Sequence, residues 1–462
     1  MRTGLRSSRL ITVTVLALAP LCAAPTSAAV TPPPLDESQL PAAAPPAPPN
    51  PTVQRADCVA APAPHSVPPD ALSDAAQLAG IDLNSVWALT RGAGQVVAVI
   101  DTGVARHRRL PHLVPGGDYV SMRDGAADCD GHGTIVAGII GAQDDTSDAA
   151  DQAEANTPFT GIAPDVTILG IRQSSNKFRA VDEPAGAGFG DVLTLAAAVR
   201  SAADRGATVI NISSVACLPA ETGLDDRALG AALAYAVDVK NVVVVAAAGN
   251  VGGPGQCPGP NPADGVGWDD VSVVASPGWY DDYVLTVGSV GPDGTGSEFS
   301  LAGPWVDVAA PGENAVSLAP AFEGLVNATP DGSPISGTSY AAPVVSAIAA
   351  LVRARSPELT PRQVMQRIED TARHPAGGWD ATVGHGVVDA LAAVSDPGST
   401  GPRQRDALRA METSTPAPVV EQAPARTAVR GAVICFALTA GTIVASAAVG
   451  RLRRRDDDIP VD

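Results

Sequence analysis

From Gly94 to Asn250 the chain alternates two kinds of apolar run, and this rhythm restricts the fold more than any other feature. "GQVVAVIDTGV" reads as a strand, "HGTIVAGIIGA" as a helix and "DVTILGIRQ" as a strand. "DVLTLAAAVRSAADRG" reads as a helix ending at Gly206, "ATVINISS" as a strand, "DRALGAALAYAVDVKN" as a helix and "VVVVAAAGN" as a strand. Strands that are apolar throughout are buried on both faces, and intervening helices supply the crossovers of a parallel sheet. The expected fold class is α/β, three layers around a mainly parallel central sheet. The body opens near Ala71 with a helix through "DALSDAAQLAG". It closes with a helix after Ser339 and another in "TPRQVMQRIEDTAR", and is expected to span 71–392.

The ends of the chain read differently. Arg2, Arg6 and Arg9 precede "LITVTVLALAPLCAA", and small residues follow up to Ala28 and Ala29. This is the pattern of an export signal over 1–29, and Cys22 would leave with it. Residues 30–70 form an arm, dense in Pro and Ala, that cannot make a core of its own. Residues 393–430 form a linker rich in Pro, Ser and Arg. Gly431 to Gly450, "GAVICFALTAGTIVASAAVG", carries no charge and is long enough to span a bilayer. The arginines of "RLRRRDDD" then place the tail 451–462 in the cytoplasm. A buried core helix is the competing reading of 431–450, disfavoured by its place between a linker and a charged tail. The expectation is a single-pass protein of the cell membrane with its body outside the cytoplasm. A net charge of −19 argues against nucleic acid as a partner.

That topology bears on the cysteines. Cys435 lies in the apolar segment, which leaves Cys58, Cys129, Cys217 and Cys257 for two disulfides. Three pairings exist. The preferred one closes a local loop with Cys217–Cys257 and ties the arm to the body with Cys58–Cys129. No CxxC or Cys/His cluster has zinc spacing.

In an open parallel sheet, sites form at the carboxyl ends of strands. Asp101 ends one strand in "VIDTG", Asn250 ends another in "AAAGN", and His132 opens a helix in "DGHGTIVAG". Ser339 begins a late helix in "SGTSYAAPVVSA", where backbone N–H groups favour developing negative charge. Each has a bland reading. Asp-Thr-Gly is a common strand end, His132 fits a loop, Asn250 fits a turn, Asp130 fits a helix cap, and Ser336 or Thr338 would cap the late helix. A serine hydroxyl needs a base before it becomes a nucleophile. The four residues together supply a base, an orienting acid and an oxyanion donor.

The blocks "VAVIDTGV", "DGHGTIVAGIIG", "GIAPDVTILGIR", "VINISS", "AAAGN" and "SGTSYAAPVVSA" resemble the subtilisin-type serine proteases from about residue 80 to 392. The chain order Asp, His, Ser is that of this fold. The resemblance implies a catalytic acid at Asp101, a base at His132, a nucleophile at Ser339 and an oxyanion donor at Asn250. It maps the substrate cleft onto Ser213, Ser214 and Val215, and onto Ala247, Ala248 and Gly249. Ser214, Val215 and Ala216 depart from the Leu-Gly-Gly common there, and Tyr340 stands where Met is commoner.

Signal, cysteine-bearing arm, extra cysteines and C-terminal apolar segment together resemble the mycosins, membrane-anchored subtilisin-like proteases of actinobacterial type VII secretion. That likeness implies peptide or protein substrates, secretion-complex partners and no cofactor. A scaffolding subunit of the complex is the second reading, and a peptide-binding pseudoenzyme a third, weakened because all four catalytic positions are filled. The arm is short for an independent propeptide core, so it is expected to brace the body and to remain there. The acidic insert 143–157 has five carboxylates suited to calcium, but no loop motif supports a site and a solvated loop is the simpler reading.

Overall fold

The computed structural model describes residues 30–59, 78, 80–144, 159–186, 188–253, 256–263, 267–321, 323–329 and 332–395. The strands are β1 (Thr52–Gln54), β2 (Val96–Asp101), β3 (Leu113–Asp118), β4 (Thr167–Arg172), β5 (Phe178–Ala180), β6 (Val209–Ile212), β7 (Ala216–Pro219), β8 (Val243–Ala247), β9 (Val273–Ser276), β10 (Leu285–Val290), β11 (Val308–Pro311), β12 (Ser317–Leu318) and β13 (Leu325–Val326). The helices are α1 (Leu83–Trp87), α2 (His132–Gly141), α3 (Val192–Asp204), α4 (Arg227–Ala234), α5 (Thr338–Arg355), α6 (Pro361–Thr371) and α7 (Ala390–Ser395).

Seven strands form one parallel sheet in the order β11-β10-β8-β6-β2-β4-β3. The Val/Ile/Ala runs explain this. Every residue of β6 and β8 is buried, as two covered faces require. Helices α2 and α5 pack against each other, and α5 lies along β6, β8, β10 and β11. Helices α3 and α4 pair with each other, and α3 packs on β2, β4 and β6. The core is therefore the three-layer α/β arrangement expected.

Local signals set the helix ends. Asp191 and Thr194 form a capping box at α3, and Thr360 and Gln363 form another at α6, where Pro361 occupies the first turn. Helix α4 does not run on to Asn241 as expected; it widens into a π-helical turn, Tyr235–Val239. Strands β9, β10 and β11 were not legible, because Gly, Pro and Asp break the stretch after Asn250. Helix α7 runs three residues past the expected end of the body, burying Ala393 and Val394 against α1, α5 and α6.

The described part of the arm packs on the body. Its β1 pairs antiparallel with β5, Arg200 donates to the Pro41 carbonyl at 2.8 Å, and Cys58 is bridged to Cys129. Cys217 is bridged to Cys257. The export signal, all but Leu78 and Gly80 of the helix expected from Ala71, all but two residues of the acidic insert, the linker beyond Ser395, segment 431–450 and the tail lie outside the described residues. Among the described residues no helix is long and apolar enough to cross a membrane.

Candidate active site

Strand β2 delivers Asp101 at its carboxyl end, 2 % exposed. Helix α2 begins at His132, and the two meet: Asp101 Oδ1 lies 2.8 Å from His132 Nδ1 and also accepts from the Thr102 N–H at 2.7 Å. A carboxylate only accepts, so Nδ1 carries the proton and Nε2 is left with its lone pair. The approach of helix to strand depends on Gly133. A Cβ there would lie 2.1 Å from the Gly103 carbonyl oxygen and 3.0 Å from Asp101 Cβ.

The acid that caps α2 is Asp128, not Asp130. Asp128 Oδ1 accepts from the Gly131 N–H at 2.7 Å and from Thr102 Oγ at 2.9 Å. Its Oδ2 accepts from the Thr134 N–H at 2.9 Å, which locks the helix start to the end of β2. Asp130 turns away and accepts from Ser175 Oγ and the Asn176 N–H.

Ser339 lies in the first turn of α5, an 18-residue helix with the positive end of its dipole at this point. Neither Ser336 nor Thr338 caps that helix. The cap comes from Asn250, whose Oδ1 accepts from the Thr338 N–H at 2.9 Å and from its hydroxyl at 3.0 Å. With its oxygen so engaged, Asn250 offers its amide NH₂ as a donor. The Ser339 hydroxyl donates to the Ser213 carbonyl at 2.9 Å, and Ser213 Oγ donates back to the Ser339 carbonyl at 2.9 Å. Ser339 and His132 share no hydrogen bond in this state, so the hydroxyl must rotate off Ser213 before His132 takes its proton. Tyr340 packs on the His132 ring at 5.3 Å between centroids.

Asp101, His132, Asn250 and Ser339 line one cavity of about 730 Å³. Ser213, Ser214, Val215 and Gly249 line it with them. Ala247 and Ala248 do not; they are 1 % and 0 % exposed, inside the sheet behind the wall. The Cys217–Cys257 bridge closes against Gly249, where a Cβ would meet Cys257 Sγ at 2.9 Å. Sequence reasoning missed Val59, Lys177 and Gln256 in the lining, because they come from the arm and two loops without a motif. Among the described residues no group of His, Cys, Asp or Glu is arranged to hold a metal ion.

Burial pulls the His132 ring toward its neutral form. The Asp101 charge and hydrogen bond, with Asp128 and Asp130 behind them, pull harder the other way, and the titration rises above the ordinary 6.5. This geometry brings an imidazole held in one tautomer and a serine hydroxyl to the lining of one cavity.

The model of the Subtilase family matches residues 92–386. Mycosin-4 of Mycobacterium tuberculosis (strain ATCC 25618 / H37Rv) is 57% identical over 456 residues, 96% of each chain. The crystal structure of MycP1 from Mycobacterium smegmatis shares 40% identity at a TM-score of 0.71, covering 85% of this chain and 100% of that one. A chain in the structure of an intact ESX-5 inner membrane complex shares 40% identity at a TM-score of 0.71, covering 92% of this chain and 100% of that one. The chain belongs to the subtilase family and, within it, to the mycosins, the subtilisin-like serine proteases of type VII secretion.

Proposed function

We propose that this mycosin is an extracytoplasmic endopeptidase, held to the cell membrane by residues 431–450, that cleaves peptide bonds through Ser339. Exported by residues 1–29, it would keep its tail 451–462 in the cytoplasm. His132 Nε2 takes the Ser339 proton as Oγ attacks the scissile carbonyl, and later returns a proton to the leaving amine. Asp101 fixes the ring and stabilises the imidazolium. Asn250 Nδ2 and the Ser339 N–H donate to the oxyanion, and water then hydrolyses the acyl-enzyme. Peptide backbone lies between Ser213–Val215 and Gly249. The single observation that carries this reading is the 2.8 Å Asp101–His132 contact in the cavity that Ser339 also lines.

The exported body, residues 30–430, is expected to take up a fluorophosphonate at Ser339, with the adduct mapped by peptide mass spectrometry. The rate should depend on neutral His132. Because the ring titrates above 6.5, labelling and kcat/KM should be full at alkaline pH and fall as pH drops through a midpoint above 6.5. A flat profile from pH 5 to 8 would remove His132 as the base. Asn250→Ala is expected to cost about 10²–10³ in kcat with little change in KM, measured on a cleaved peptide. It also strips α5 of its cap, so the melting temperature of the variant is read alongside.

A second role has its own support. Similar chains form part of an ESX-5 inner membrane complex and its periplasmic assembly. On this reading the protein also stabilises a type VII secretion complex, and proteolysis is one of two contributions.

A further inference from the structure

One side of the cleft is not built by the protease body alone. Val59 lines it, and Val59 belongs to the arm. The Cys58–Cys129 bridge is adjacent, and the Val59 N–H donates to the Cys129 carbonyl at 2.9 Å. The arm also grips Lys177. The N–H groups of Arg55 and Ala56 donate to the Lys177 carbonyl at 2.8 and 3.4 Å, and the β1–β5 pairing starts at Phe178. From the other side the Lys177 N–H donates to Ser175 Oγ at 3.1 Å.

Lys177 is the one lysine or arginine among the described residues that line the cavity. The two carboxylates in that lining are engaged elsewhere: Asp101 by His132 and Thr102, Asp130 by Ser175 and Asn176. No salt bridge joins Lys177 to a carboxylate among the described residues. The Lys177 ammonium is half-buried, and although Asp130 keeps its charge while accepting from the neutral Ser175 and Asn176 groups, it forms no salt bridge with Lys177. Such a group attracts a carboxylate on whatever enters the cleft.

We propose that Lys177, held by the N-terminal arm, selects peptide substrates carrying an Asp or Glu side chain close to the scissile bond. The proposal rests on the reading of Ser339 as the nucleophile and deepens it. It makes the arm a recognition element as well as a brace.

The test uses internally quenched peptides with Glu, Gln or Lys moved one position at a time through four residues on either side of the cleaved bond. Rates are normalised to fluorophosphonate labelling of each variant. Wild type is expected to show a KM about fivefold lower for Glu than for Lys at one position, with kcat unchanged and the difference shrinking in salt. Lys177→Glu should invert that preference and Lys177→Gln should flatten it. Arg55→Pro removes an N–H that grips Lys177 and should weaken the preference with the lysine still present. Equal KM for all three residues at every position would overturn the proposal, as would a preference that survives Lys177→Glu. A labelled enzyme that cleaves none of the peptides would also overturn it. Failure of wild type to label would instead sink the Ser339 reading, and this one with it.

Discussion

Ser339→Ala is expected to lower kcat on a cleaved peptide by about 10⁶ and to abolish fluorophosphonate labelling, while folding and both disulfides persist. The hydroxyl is small and partly buried, and its removal costs one hydrogen bond to the Ser213 carbonyl. Ser213 Oγ keeps its bond to the Ser339 main chain and to Asn211 Nδ2, so the joint between α5 and β6 stays closed. The same variant separates the two roles in cells. Secretion that survives Ser339→Ala and fails on whole-gene deletion assigns the scaffold role. Secretion lost in both assigns proteolysis the leading part. A variant that still hydrolyses peptide at near wild-type rate would remove Ser339 from the chemistry.

Asp101→Asn is expected to cost about 10⁴ in kcat. Asp101 Oδ1 accepts from both His132 Nδ1 and the Thr102 N–H, while Oδ2 is buried with no hydrogen-bond partner among the described residues. An asparagine that keeps its oxygen toward Thr102 buries an NH₂ without an acceptor. One that flips presents a donor to His132 and forces the wrong tautomer. Either way the negative charge opposite the imidazolium is gone, and with it the largest pull raising the His132 titration. The residual activity should therefore show its acid limb at lower pH than wild type. A limb that does not move would show that Asp101 does not set the protonation of His132.

Strands β2, β4, β6 and β8 were legible because Val, Ile and Ala leave no polar face, and three helical runs between four such strands are hard to place otherwise; β3, with its Pro and two Gly, was not. The triad was legible because each member ends a strand or opens a helix in a short local motif. The capping acid was not. Asp128 and Asp130 are two residues apart, and only tertiary contact with Thr102 and Thr134 decides between them. Asn250 was read as a donor, but its second job, capping α5 from 88 residues away, has no local trace. Ala247 and Ala248 followed the family pattern of a cleft wall, yet strand pairing puts them behind it. Lys177 and Val59 reach the site through a disulfide and a two-strand ladder, contacts between parts of the chain that no periodicity connects.

Helix α5 starts at the reaction centre with Ser339 and runs about 27 Å to Arg355. Helix α7, the last element among the described residues, packs on α1, α5 and α6. Helix α1 leads into the amino end of β2, the strand whose other end carries Asp101. The last described helix thus packs near the start of β2, while Asp101 and the cleft lie at its carboxyl end. A substrate that reaches Ser339 from the carboxyl end of the sheet therefore need not pass the last described helix of the body.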